Sequence, residues 1–327
     1  MKLVTAPLVL RPAFATLILA GLLFGQVGTT SVVGRIIDAS DTVVPNARVE
    51  LIHEETNEQF QAITTSTGDY TVNNLPIGTY EVRAIVPGFR TESRKAALDV
   101  GRSYRFDFKL QVGQVTETVQ IIAQNLLLKT ESPETSTTIG ARLLGGIPQI
   151  NRDVIQALAV TAPSVAPTRQ AGGREVRITA LGNRQIDNTV FFDGAVVSGN
   201  RTSINWLPNP DALEQMEIKP SLYSAEFGIR PGAQVVLVTK SGTNGPHGGI
   251  YEYLRNDNLD ARNFFDRGRR PEFKRNQFGA NLGGPIVLPK LFNGRNRDWF
   301  FVAYYGERVR EFVSLTRDDS ALRSGIH

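Results

Sequence analysis

The sequence predicts a mainly β chain in three parts: an N-terminal β-sandwich, a small α/β unit and the first strands of an incomplete β-barrel. In residues 31–112, strand-length apolar alternations recur roughly every 8 to 12 residues, as in an antiparallel sandwich. Residues 139–246 combine one helix-spaced apolar face with several β-rich stretches, and residues 247–327 alternate apolar and polar residues in strands rich in aromatic side chains.

The N-terminus, residues 1–25, is typical of a secretory signal peptide. Lys2 and Arg11 flank a charge-poor segment, and an apolar run of thirteen residues at 12–24 ends in Gly25 and Gln26. A spanning helix needs about 20 apolar residues, so the run favours an export signal removed near Gly25 or Gln26. A retained membrane anchor is the alternative.

Composition excludes several functions. The chain has 327 residues, 41% hydrophobic and 21% charged, with a formal net charge of +4 and no dense Lys/Arg block. These values indicate a folded chain and argue against nucleic acid as a partner. The absence of Cys excludes disulfides, a thiol nucleophile and a cysteine zinc site, and nothing predicts a cofactor.

Seven strands are predicted in the first part, separated by turn-forming residues. Pro45-Asn46, Gly68, Gly78 and Pro87-Gly88 supply the fixed or positive φ that chain reversals need. The predicted strands are 31–38, 46–53, 59–64, 69–73, 79–86, 90–100 and 103–112.

The pattern of this sandwich resembles the carboxypeptidase regulatory-like domain. The resemblance implies a transthyretin-like sandwich, grouped with carbohydrate-binding-like folds, and no peptidase activity. Zinc chemistry is not expected, because none of the three histidines lies in an H-x-x-E arrangement. Tyr70 and Tyr80 would either stack on a sugar or fill the core, and the core is favoured. The residues that carry the resemblance are Gly34, Asp38, Pro45, Ala47, Val49, Gly68, Tyr70, Leu75, Gly78, Tyr80, Gly88 and Phe89.

A linker of residues 113–138 follows. Its first part, 113–122, favours β structure, and 132–138 is polar. Taken alone, the segment predicts a last sandwich strand and a linker. Alternatively, an extended segment of this kind adds a strand to the sheet edge of a partner.

The α/β unit is expected to contain, within 143–159, a helix that begins behind Asn151 as its cap, and a short helix that runs into a strand at 210–218. Strands are expected at 175–180, 188–193 and 234–240.

The final part predicts strands that separate two solvents. Phe278, Ala280 and Leu282 alternate with polar or small residues, residues 298–306 hold five aromatics in nine positions, and 248–256 supplies a third strand. We therefore expect membrane-crossing strands. Three strands cannot close a barrel, so we expect a piece of a longer chain or the product of an interrupted gene.

Residues 139–327 are similar to the plug and first strands of a TonB-dependent outer-membrane receptor, and the preceding sandwich identifies Oar-like receptors as the closest group. Two departures from the family are Leu181-Gly182 for an Arg-Gly pair and residues 231–233 for a Gly-Gly pair. The motifs include LGNR at 181–184, VTKSGTN at 238–244, RNQFG at 275–279, and the segments 147–152, 162–165, 193–194, 224–228, 252–256, 259–265, 283–285 and 299–301.

The resemblance implies energised, non-catalytic uptake of a nutrient through the outer membrane, with the TonB periplasmic domain, outer-membrane lipid, and a carbohydrate or other nutrient as partners. The TonB box would be Glu117, Thr118, Val119, Gln120 and Ile121. Polar loops that would contact the substrate contain Asn183, Arg184, Gln185, Asn200, Arg201 and Asn205. The alternative is a periplasmic carbohydrate- or protein-binding module made of the sandwich and the plug.

Enzyme motifs fail on spacing. Ser241 is not in G-x-S-x-G, and Lys240-Ser241 lacks the glycine of a P-loop. Asp187, Asn188 and Asp193 form no Ca²⁺ ligand ladder and are expected in turns.

Overall fold

The computed structural model describes residues 29–113, 119–122, 135–146, 154, 157, 161–162, 164–169, 176–197, 208–221, 223, 230–261 and 272–311. The predicted signal peptide lies outside these residues. Within them, the fold is mainly β, as the sequence predicts.

The N-terminal part is a sandwich of two sheets. One sheet has the order β4-β1-β7, with β8 also pairing with β1, and the other has the order β3-β2-β5-β6-β9. The strands are β1 (Thr30–Asp38), β2 (Arg48–His53), β3 (Gln59–Ile63), β4 (Asp69–Leu75), β5 (Gly78–Ile85), β6 (Glu92–Leu98), β7 (Ser103–Arg105), β8 (Phe108–Leu110) and β9 (Val119–Ile122).

Two expectations for the sandwich need correction. The single strand expected at 103–112 is divided into β7 and β8, because the chain leaves the ladder where the Asp107 carboxylate accepts the Arg35 N–H at 2.8 Å. The sandwich is also not purely antiparallel, since β7 and β8 both pair with β1 in parallel and β9 pairs with β6 in parallel.

The core of the sandwich comes from alternate residues of both sheets. In β2, for example, Val49 and Leu51 are fully buried while Arg48 is exposed. Gly34 is required on the facing strand, because a Cβ there would lie 1.9 Å from the carbonyl oxygen of Phe106. Because Phe106 joins β7 and β8, which both pair with β1, this close approach lies within one sheet and leaves no room for a larger residue at that point.

The next part of the chain, residues 135–239, forms a five-stranded sheet with the order β10-β15-β16-β13-β14. This sheet is mixed, since β13 and β16 run parallel. It encloses its own apolar core, which includes Ile139, Met216 and Leu237. We call this region the middle unit. Its elements are β10 (Thr135–Gly140), α1 (Ala141–Gly146), β11 (Val165–Arg169), β12 (Val176–Ala180), β13 (Thr189–Phe192), β14 (Ala195–Val196), β15 (Leu213–Ser221) and β16 (Gln234–Thr239).

The helices of the middle unit only partly follow the sequence expectation. α1 lies ahead of the helix expected behind Asn151 and was not predicted, and Asn151 itself lies outside the described residues. The short helix expected at 210–218 is a single 3-10 turn, Pro210–Ala212, and Asn209 caps it by accepting the Asp211 N–H. The turn is brief because β15 begins at Leu213, where the chain pairs with β16.

The last part of the chain forms a sheet of three long antiparallel strands in the order β17-β18-β21. We call it the third sheet, because it belongs to the third part of the chain. These are β17 (His247–Asn256), β18 (Phe273–Pro285) and β21 (Trp299–Glu311), and a small hairpin of β19 (Val287–Leu288) and β20 (Phe292–Asn293) lies between the last two. The three predicted strands are present. None of the helices in the described part of the chain is long and apolar enough to span a membrane.

Candidate functional site

The outer face of the third sheet carries an exposed apolar patch. Ile250, Ala280 and Tyr304 are register partners across the three strands, and Leu282 pairs with Val302 one row away. Ile250 is 91% exposed, and Leu282, Val302 and Tyr304 are between 54% and 62% exposed. A soluble sheet would turn these side chains toward its core, so this face requires an apolar environment.

The opposite face of the same sheet is polar, and it buries one of its central side chains. Gln277 is only 5% exposed, and its side-chain amide donates to the Tyr305 hydroxyl and to a Glu307 carboxylate oxygen, both at 3.0 Å. The Arg275 guanidinium lies 3.1 Å from the same carboxylate. The alternation predicted from Phe278, Ala280 and Leu282 is therefore present with the polar side inward, which is the arrangement of a membrane barrel strand.

The predicted TonB box coincides with the last strand of the sandwich. Val119, Gln120 and Ile121 lie in β9, which pairs in parallel with β6. Glu117 and Thr118 lie outside the described residues. The interpretation as a last sandwich strand is therefore confirmed for residues 119–122, and strand addition to a partner stays a prediction.

A polar junction joins the sandwich to the middle unit. The Gln215 side chain accepts the Val100 N–H at 3.0 Å and donates to the Asp99 carboxylate at 2.8 Å. The Lys219 ammonium donates to the Gly101 carbonyl at 3.2 Å, and this side chain is almost fully buried. Val100 also packs against Val236 and Val238 of β16.

Sequence reasoning missed this junction. Residues 99 and 215 are 116 positions apart, and no local pattern reports a contact at that distance. Gly101 was the available signal, because its φ is +66 and a Cβ there would meet the Glu217 carboxylate at 2.5 Å. Glycine at this position leaves room for the side chains of Glu217 and Lys219 against the backbone of the sandwich.

A second contact joins the sandwich to the third sheet. The Asn57 side chain donates to the Asn296 side chain at 3.0 Å, and the Asn244 N–H donates to the Glu55 carbonyl at 3.0 Å. The Trp299 indole N–H donates to the side-chain amide oxygen of Asn244 at 2.9 Å, and this hydrogen bond anchors the start of β21. The sandwich therefore lies at the end of the third sheet where β17 and β21 begin.

The predicted substrate loops are only partly located. Asn183, Arg184 and Gln185 lie in the turn between β12 and β13, where Arg184 is exposed and its guanidinium lies 3.3 Å from the Asp187 carboxylate. The remaining three predicted residues, Asn200, Arg201 and Asn205, lie outside the described residues.

The two tyrosines considered for sugar stacking belong to the core. Tyr70 and Tyr80 are buried, and their hydroxyls donate to the carbonyls of Phe106 at 2.8 Å and Pro76 at 2.9 Å. Burial raises the pKa of both phenols above the ordinary value. The core interpretation is confirmed, so neither ring is available to stack on a glycan.

The polar turn residues Asn188 and Asp193 hold the backbone of the middle unit in place. Asn188 accepts the Ala233 N–H at 2.8 Å and donates to the Ile178 carbonyl at 2.6 Å. Asp193 accepts the N–H and the hydroxyl of Thr239, both at 2.9 Å. No group of three or more His, Cys, Asp or Glu side chains among the described residues could hold a metal ion.

Two protein-family models match the chain. The carboxypeptidase regulatory-like domain matches residues 31–111, and an outer membrane beta barrel domain matches residues 238–325. Both resemblances drawn from the sequence motifs at the two ends of the chain are confirmed.

A curated protein, the TonB-dependent transporter Oar of Myxococcus xanthus, is 26% identical to this chain over 336 residues. The match covers 93% of this chain and 29% of that transporter. The chain thus spans less than a third of the length of this relative, and the match extends through the middle unit, for which neither family model accounts.

Likenesses to solved structures are confined to small parts of the chain. A catechol 1,2-dioxygenase from Acinetobacter radioresistens is 11% identical with a TM-score of 0.24, covering 30% of this chain and 58% of that protein. The pilus 2b backbone protein of group B streptococcus is 18% identical with a TM-score of 0.22, covering 26% of this chain and 41% of that protein. Scores of this size carry no functional argument.

Proposed function

We propose that this chain, as a relative of a TonB-dependent outer-membrane transporter, forms the plug, the first barrel strands and a periplasmic sandwich of a transporter that takes up a nutrient by energised, non-catalytic transport. The similarity over 93% of the chain supports an outer-membrane transporter rather than an enzyme. We further propose that the transported substance is a nutrient, that the transport is energised, and that the middle unit is the plug.

The inverted polarity of the third sheet carries this proposal. A sheet with Ile250 and Tyr304 outside and a hydrogen-bonded Gln277 inside suits lipid on one face and a filled lumen on the other. The middle unit lies next to it in sequence and would fill that lumen as the plug. Residues 1–25 would direct export, and the sandwich would lie on the periplasmic side.

We call β9 the box strand, because it contains residues 119–121 of the predicted TonB box. Energy would enter the transporter through this strand. TonB would bind the segment 117–121 by strand addition, in which backbone hydrogen bonds give affinity with little demand on side chains. Pulling on this segment would rearrange the plug, and the polar loops around Asn183 and Arg184 would contact the nutrient, a carbohydrate or another small molecule. No bond is made or broken in the nutrient.

The lipid-facing assignment is tested by spin labelling. Because the chain has no Cys, single labels at Ile250→Cys and at Leu282→Cys report only those sites. In detergent micelles we expect these labels to collide with oxygen and to be shielded from a water-soluble nickel reagent. The matched control is Ile63→Cys, which is exposed on β3 of the sandwich and should be open to the nickel reagent. Equal nickel access at all three sites would contradict the assignment.

The energised part is tested by titrating the chain with the isolated TonB periplasmic domain. Val119→Pro should abolish binding, because proline removes a backbone donor and fixes φ. Val119→Ala keeps the donor and is the control, which should bind like the unmodified chain. Unchanged affinity in the proline variant would exclude 117–121 as the box.

A further inference from the structure

The box strand is already part of a sheet in the resting protein. Its four residues pair with four consecutive residues of β6 in parallel, as Glu92 with Val119, Ser93 with Gln120, Arg94 with Ile121 and Lys95 with Ile122. A partner that recognises this strand therefore meets the sandwich edge and the strand together.

The pairing leaves one side of the strand open. In the described part of the chain, β9 is the terminal strand of the order β3-β2-β5-β6-β9, so its ladder to β6 uses one edge and its other edge has no neighbouring strand. The backbone of such an edge is extended and presents N–H and C=O groups for pairing. This is the geometry that strand addition requires.

Pairing with β6 also fixes the conformation of the strand. A free linker loses backbone freedom when it joins a sheet, and this loss opposes binding. In this protein the register with β6 has already ordered the four residues before a partner arrives. The Asp99–Gln215 contact holds the sandwich to the middle unit, and the Asn57–Asn296 contact holds it to the segment before β21. These contacts oppose movement of the sandwich when a partner binds β9.

We infer that the docking surface for TonB is the outer edge of β9 while β9 remains paired with β6, so that the TonB strand extends the sandwich sheet instead of stripping the box from it. This inference rests on the proposed function, since it takes TonB as the partner. It assigns the sandwich a role, which is to present the box as a preformed sheet edge.

A reversible cross-link tests the inference. Ser93→Cys combined with Gln120→Cys places two thiols at register partners, and the absence of other cysteines prevents wrong pairs. Oxidation locks β9 on β6. We expect the oxidised protein to bind the TonB periplasmic domain within about threefold of the reduced protein, because the outer edge stays available.

The opposite result is equally clear. If TonB must strip β9 from β6, oxidation abolishes binding and reduction with dithiothreitol restores it. If the disulfide does not form under oxidation, the β6–β9 pairing is absent in solution and the inference is wrong. A control pair, Glu50→Cys with Gln61→Cys, joins β2 and β3 in the same sheet and should leave binding unchanged in either redox state.

Hydrogen exchange gives a second readout that needs no variant. On adding TonB, the amides of residues 92–95 and 119–122 should keep or gain protection, whereas stripping would expose the amides of 92–95. Failure of the proposed function looks different from either outcome, because the unmodified chain would then bind no TonB at all.

Discussion

The sandwich and the three-stranded sheet of β17, β18 and β21 share one sequence period and use it in opposite ways. In β2 of the sandwich, the apolar residues Val49 and Leu51 are the buried ones. In β18 the buried side chain is Gln277, while Leu282 is mostly exposed. Alternation therefore predicts a two-faced strand, but not which face meets the protein interior.

The difference lies in what covers each face. The sandwich folds its second sheet over the apolar side, so water meets the charged side. The three-stranded sheet instead satisfies its polar side internally, with Gln277, Tyr305 and Glu307 hydrogen-bonded together, and leaves its apolar side uncovered. An uncovered row of this kind is stable only next to lipid or detergent.

The largest expected effect comes from removing the same side chain from each region. Leu51→Ala should destabilise the chain by about 2 to 5 kcal/mol, because it opens a cavity in a fully buried core. Leu254→Ala should change stability by no more than about 0.5 kcal/mol, because Leu254 is 63% exposed. Urea unfolding in mild detergent, followed by circular dichroism, measures both. Equal losses would mean that the two faces are buried alike, and the comparison would fail.

Added methyl groups give the next largest effect. Gly34→Ala should cost about 1 to 3 kcal/mol or more, since its Cβ would meet the Phe106 carbonyl at 1.9 Å, where only backbone movement can relieve the clash. Gly249→Ala in β17 is the matched control, because the nearest atom to its Cβ is an Asn281 side-chain oxygen at 3.8 Å. Comparable melting temperatures for the two variants would show that the connection between β7 and β8 moves away from β1 more easily than the packing indicates.

The sequence predicts the strands of the sandwich well because their signals are local. Alternation and turn residues depend on neighbours in the chain, and β1, β2 and β3 are predicted to within two residues at each end. The last three long strands are also predicted, but β18 and β21 extend beyond the predicted stretches, β21 to Glu311. Local signals also place Tyr70 and Tyr80 among the core residues, which the structure confirms.

The pairings that matter for the candidate site are not local. The parallel register of β9 on β6 joins residues 92 and 119, and the junction joins residues 99 and 215. The sheet edge with which β9 pairs depends on how the two sheets of the sandwich assemble. The sequence of a single strand contains no information about that assembly. Sequence reasoning identified the box segment through its resemblance to a family, and left its structural partner undetermined.

The polar junction between the sandwich and the middle unit gives a smaller effect. Gln215→Ala removes one hydrogen bond to the Val100 N–H and one to Asp99, which should cost about 1 to 2 kcal/mol. The control is Gln61→Ala, because Gln61 is exposed on β3. Calorimetry should show one joint transition for the sandwich and the middle unit in the control, and a sandwich that melts separately in the Gln215 variant. A single unchanged transition would show that the apolar contacts of Val100 suffice.

The smallest expected effect concerns charge on the water side of the sandwich. The Arg35 guanidinium donates to both carboxylate oxygens of Asp69, at 2.7 and 3.1 Å, and with the Thr67 hydroxyl it lowers the pKa of Asp69 to about 2. A carboxyl whose pKa is lowered on folding stabilises the fold above its ordinary value of 3.8, and this stabilisation is lost as the pH falls toward 2. Asp69→Asn should therefore melt slightly below the unmodified chain at neutral pH and together with it near pH 2.

Salt sharpens this last test, because both partners of the Arg35–Asp69 pair are about half exposed and surface pairs are screened. High salt at neutral pH should shrink the difference between Asp69→Asn and the unmodified chain. The Arg275–Glu307 pair lies on the polar face of the three-stranded sheet and is less exposed than the Arg35–Asp69 pair, so the difference caused by Glu307→Gln should respond less to salt. If salt reduced both differences equally, the polar face of that sheet would be open to bulk water, and it could not line a filled lumen.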